Sequence, residues 1–126
     1  MPTQTNLLGS GCAPLQAQAS VGIPSTALTA AGSASQAAAL ALPSDFSVFT
    51  TVPATSGARL PASSGQTNLG DTWITVNHGA NAMLVYPAVG GTVANAATNV
   101  GFTVPASKTA TFLYIGVNNW AASVSN

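Results

Sequence analysis

The chain is predicted to be all-β, a β-sandwich or jelly-roll-like barrel of about 7–9 short strands behind an extended N-terminal arm. Three observations lead there. Short segments rich in Val, Ile, Thr and aromatic residues alternate with period two, as in Asp45–Val52, Gly70–Asn77 and Thr109–Val117. Clusters of Gly, Pro, Asn and Ser separate them at strand-like intervals. No segment reads as a sure helix, the alanine-rich stretch from Ser25 to Leu42 being ambiguous.

In chain order, residues 1–24 contain scattered Pro, Gly, Ser and Gln and no sustained period, so they read as an arm without a core of its own. Leu7, Leu8 and Leu15 are its candidate anchors on a neighbouring subunit. Residues 25–126 form the β domain. Its opening stretch, Ser25 to Leu42, is ambiguous, since alanine favours helix while Gly32 and the Ser and Thr content oppose it. The reading taken is two short strands, Thr26–Ala30 and Ala37–Leu42. The next strand is Asp45–Val52, with Phe46, Val48 and Thr50 set against Ser47, Phe49 and Thr51, and Pro53 ends it. A turn at Thr55–Gly57 leads to a short strand, Ala58–Leu60, and then to a polar loop.

The stretch Gly70–Pro87 reads as the organising β-hairpin. Thr72, Ile74 and Val76 lie on one face of its first strand, and Trp73, Thr75 and Asn77 on the other. Residues 77–81 supply the turn chemistry, and the second strand runs from Ala82 to Tyr86. After Gly90-Gly91, Thr92–Ala94 is a short strand and residues 95–99 a loop. Val100–Val104 joins Thr109–Val117 through the connection Pro105–Lys108, which has hairpin length. In that last strand Phe112 and Tyr114 share one face, Leu113, Ile115 and Val117 the other, and both faces are expected to be covered. Asn118-Asn119 turns the chain, and Trp120 closes it.

Composition restricts the function. Of 126 residues only 3% are charged, namely Asp45, Arg59, Asp71 and Lys108, against about 25% in an ordinary soluble domain. The exterior must therefore be neutral, with no electrostatic repulsion to hold copies apart, which favours life within an assembly. The hydrophobic fraction of 47% owes much to alanine, which buries little area. The core is thin for the chain length, and oligomerisation would add buried area. Two cations form no patch for phosphate backbones, so nucleic acid is not an expected partner. No apolar run has the length of a bilayer span and no secretory leader is evident, so no membrane partner is expected either. The single Cys12 has no intrachain partner, rules out a disulfide framework and fits a reducing cytoplasm.

Chemistry-bearing constellations are sparse. Asp45 and Asp71 are the only pair of carboxylates, each placed where Asp commonly caps a turn. His78 sits in a loop and lacks companions for a metal site; with Asp71 and a serine it makes a triad only on paper, because no GxSxG elbow exists. The glycines follow no phosphate-binding pattern. No catalytic residue, metal site or cofactor is expected. Trp73, Tyr86, Tyr114 and Trp120 remain as candidate interface residues, since aromatic rings carry large area with a polar tip. If Ile74 and Val76 face the core, Trp73 points to a partner; burial within its own subunit is equally open.

From Asp45 to Trp120 the strings DFSVFTTV, ARLP, GDTWITVNHGANAMLVYP and FTVPASKTATFLYIGVNNW resemble a module of tailed-bacteriophage virions, the small capsid decoration (cement) and head-fibre proteins. The most specific parts are Asn77–Pro87 and the segment that begins at Lys108. The resemblance implies a non-enzymatic β-sandwich subunit that forms homotrimers on the outer capsid surface and clamps the major capsid protein, after synthesis in the host bacterial cytoplasm. The alternative it implies is a head- or tail-fibre module that binds host-surface glycans.

Overall fold

The computed structural model describes residues 24–62 and 69–125. Among them all regular structure is strand: β1 (Pro24–Thr29), β2 (Leu40–Ala41), β3 (Phe46–Thr51), β4 (Gly57–Arg59), β5 (Thr72–Asn77), β6 (Met83–Tyr86), β7 (Thr92–Val93), β8 (Phe102–Val104), β9 (Lys108–Gly116) and β10 (Asn119–Val124). The all-β expectation holds, with ten strands where fewer were predicted. The arm residues Leu7, Leu8 and Leu15, and Cys12, lie outside the described residues.

The strands form two sheets, one ordered β1-β3-β5-β9-β10-β7 and the other β2-β4-β6-β8. Each of the first six strands lies in the opposite sheet from its predecessor. β1, β3 and β5 are therefore parallel neighbours in one sheet, and β2, β4 and β6 in the other. The chain thus makes three turns of a coil. Antiparallel strands then close both growing edges: β8 pairs with β6, and β9 with β5.

This topology corrects the predicted hairpin at Gly70–Pro87. β5 and β6 are not paired; residues 78–82 carry the chain from one sheet to the other. The connection Pro105–Lys108 likewise crosses between sheets. Among the described residues the one antiparallel pair of consecutive strands is β9–β10, where Gly116 faces Asn119 across a two-residue loop. Val117 (φ 27°) and Asn118 (φ 58°) both have positive φ, as such a turn requires to match strand twist. β10 itself continues past Trp120, the expected last element, to Val124.

Three corners show why the coil turns where it does. The small-sheet strands are followed by Leu42-Pro43, Leu60-Pro61 and Pro87, and proline cannot extend a ladder. The backbone N–H groups of Leu42 and Leu60 still donate to the next coil, at the Arg59 and Tyr86 carbonyls (3.0 and 2.8 Å). An apolar or aromatic residue followed by proline thus recurs at successive coil ends, a repeat that period-two alternation does not reveal.

One core cluster joins buried residues of both sheets: Phe49, Ala110, Phe112, Tyr114 and Trp120 from the larger, Ala58, Met83, Val85 and Val104 from the smaller. Burying each large apolar side chain contributes about 1.5–3 kcal/mol. Edge-to-face ring pairs fix its geometry, Phe102–Phe112 at 5.7 Å and Tyr114–Trp120 at 5.1 Å between centroids. Two polar atoms sit in this core without a hydrogen-bond partner among the described residues, Thr75 Oγ1 and Trp120 Nε1. A buried hydroxyl without a partner costs about 1–3 kcal/mol, while its own volume is nearly that of a methyl group. Thr75→Val is therefore expected to raise stability by about 1 kcal/mol, read as a higher urea midpoint at fixed protein concentration. An unchanged or lower midpoint would mean that the hydroxyl has a partner after all.

Candidate interaction surface

The four aromatic residues singled out from the sequence do not meet at a surface. Trp120 is 1% exposed, Tyr114 4% and Tyr86 7%, so all three belong to the chain's own core and are corrected as candidate interface anchors. The alternation of β5 places Trp73, Thr75 and Asn77 inward, and Trp73 packs its ring edge-to-face on Trp120 at 6.5 Å. Trp73 is half-buried against its own subunit rather than aimed at a partner.

The inward Asn77 is the polar centre of the crossing between sheets. It is fully buried, and its Nδ2 donates to the carbonyls of Asn81 (2.9 Å), Val104 (3.0 Å) and Pro105 (3.3 Å). Its Oδ1 accepts from the Gly79 N–H at 2.9 Å. Asn81 in turn donates to the Val52 carbonyl at 2.8 Å, and the His78 N–H to that of Phe49 at 2.8 Å. The stretch that reads as turn chemistry therefore stitches β5, β3 and the entry to β9 together. The His78 side chain is exposed, and no group of three metal-ligating side chains gathers among the described residues.

With Trp73, Thr75 and Asn77 inside, the outer face of the six-stranded sheet carries the other half of each strand. Strand register sets Phe46, Ile74, Thr111 and Ser123 side by side in one row, Val48, Val76 and Thr109 in a second, and Thr72, Leu113 and Ala121 in a third. Ile115 and Val117 continue the apolar line at the end of β9. Leu113, Ile115 and Val117 are 40%, 51% and 81% exposed, which corrects the expectation that both faces of this strand are covered.

No charged residue stands in these rows. Asp45, Asp71 and Lys108 fall in phase with the inward residues Ser47, Trp73 and Ala110 of their strands. Arg59 lies in the other sheet, where its Nη1 donates to the Gln36 carbonyl at 3.2 Å and it lines a shallow cleft with Leu42, Leu60, Ala88 and Val89. The outer sheet face is thus a neutral surface of aliphatic, threonine and small residues. No protein-family model, curated protein or solved structure matches the chain.

Proposed function

We propose that this chain is a structural virion protein, a capsid decoration (cement) protein that acts as a homotrimer on the outside of a tailed-phage head and stabilises the lattice of major capsid protein. The observation that carries the reading is the charge-free outer face of the six-stranded sheet, which offers apolar and polar-neutral contacts and nothing that chemistry on a small molecule would need. Two sheets around one core fit the β-sandwich subunit of that proposal. The residues that carry the resemblance, Asn77–Pro87, have a structural part to play, as the crossing held by the Asn77 amide. Host-glycan binding by ring stacking draws less support, because Tyr86, Tyr114 and Trp120 are occupied within the core.

The mechanism is linkage. A protein that binds the assembled lattice but not its free subunits stabilises the lattice by mass action, by about 2.7 kcal/mol per site at a hundredfold excess over the dissociation constant. Repeated over a shell the sum is large. Contacts without ion pairs are weakly screened, so the effect should persist in moderate salt. Particles carrying the protein are expected to release their genome at a higher temperature than particles lacking it. Release at equal temperatures, together with loss of adsorption to cells by the particles that lack it, would replace this reading with a host-binding fibre.

A further inference from the structure

We infer that the outer face of the six-stranded sheet is the surface on which copies of this chain pack against one another, through Phe46, Val48, Ile74, Val76, Leu113 and Ile115. The inference rests on the proposal that the protein acts as an oligomer, and supplies the surface that proposal lacks.

Charge argues for a second copy as the occupant. A neutral face of apolar and hydroxyl side chains without a single charge excludes partners that would have to bury their own charged groups against it, since an unpaired charge taken from water costs several kcal/mol. This chain is a partner of matching chemistry: the three charged residues of its large sheet are in phase with the core, so a copy brings to the contact a face as neutral as the one it meets.

The edges of the sheets are poor alternatives. β1 is broken by a bulge at Ala27 (φ 57°), with register shifts against β3 on both sides of Leu28. β2 and β7 are two residues each. Bulged and very short strands are how edges are kept from adding further strands, so association is left to the face.

Size agrees. Strands about 4.8 Å apart and about six residues long give the six-stranded sheet a projected area of roughly 550–600 Å². Side-chain relief raises the accessible area towards the roughly 800 Å² per partner of a standard interface.

The test is sedimentation equilibrium of the full chain and of variants, with circular dichroism as the check on folding. Wild type is expected at a multiple of 12.4 kDa, and the double variant Leu113→Lys/Ile115→Lys at 12.4 kDa with an unchanged spectrum. Thr111→Arg, at an outward position that is already polar, is the second variant should the first fail to fold, and should likewise shift the mass towards one chain. Val89→Lys, exposed but outside this sheet, is expected to leave the mass of wild type. A wild type at 12.4 kDa would overturn both the inference and the trimer. An oligomeric wild type whose mass survives both face variants would overturn the surface alone and leave the decoration reading to the particle-heating experiment.

Discussion

Asn77→Ala is expected to destabilise the fold by about 3–5 kcal/mol, more than most single substitutions in a chain of this size. The side chain is fully buried and spends both ends of its amide on backbone groups from three places in the chain. Alanine leaves the Val104 carbonyl and the Gly79 N–H facing a void, and each buried group that loses its partner costs about 1–3 kcal/mol. Asn77→Asp should be nearly as harmful. The carboxylate can still accept from Gly79, but it has no N–H to give and sets negative charge against three carbonyl oxygens. Urea unfolding followed by the fluorescence of Trp73 and Trp120, at fixed protein concentration, gives the midpoint shift. A loss under about 1 kcal/mol for either variant would show that the crossing is held by other contacts.

Gly57→Ala is expected to be at least as severe. Gly57 is the backbone meeting point of all three coils, bridged to Ala31 by reciprocal hydrogen bonds (2.9 and 3.1 Å) and in register with Leu84 of β6. A Cβ there would overlap the Leu84 carbonyl oxygen, with the Leu84 carbonyl carbon at 3.1 Å and the Tyr86 ring at 3.3 Å. Two backbones in one ladder cannot yield independently. The cost should reach or pass the upper end of the usual 1–3 kcal/mol for overpacking, a large share of a total stability of about 5–15 kcal/mol. The natural control is Gly90→Ala. Open space surrounds that position, and only its φ of +88° opposes a side chain, so a loss of about 1 kcal/mol is expected. Soluble yield and urea midpoint separate the two. Equal midpoints would show that β4 and β6 can move apart at little cost.

Strand positions were legible in this sequence where alternation was strong, as in β3, β5 and β9, because period two follows from the pleat alone. Partners were not legible. A five-residue link that includes Gly79 and Asn81 serves a hairpin and a crossing between sheets equally well, and what decides is Asn77, whose amide meets the Val104 and Pro105 carbonyls where the chain crosses. Facing at β5 stayed open in the sequence for a related reason. Ile74 and Val76 are more apolar than Thr75 and Asn77, yet the latter turn inward because the crossing satisfies Asn77 and Trp120 packs on Trp73. The inward facing of these residues moves the candidate surface from the aromatic rings to the aliphatic rows. β10 escaped notice because Ala121, Ala122 and Ser123 give no bulky alternation; its signal lay in the two-residue turn before it.

The alternation of strands between sheets also governs how the fold is built during synthesis. As the chain leaves a ribosome, β3 finds β1 already present and β4 finds β2, so each coil can settle on its predecessor in the order of translation. The closing strands come last. Until β8 and β9 have emerged, the nascent protein ends in a leading edge made of β5 and β6, whose unpaired N–H and C=O groups are open to any strand nearby. Closure of that edge by β8 and β9 is therefore the step that ends the exposure of neighbouring nascent chains to one another.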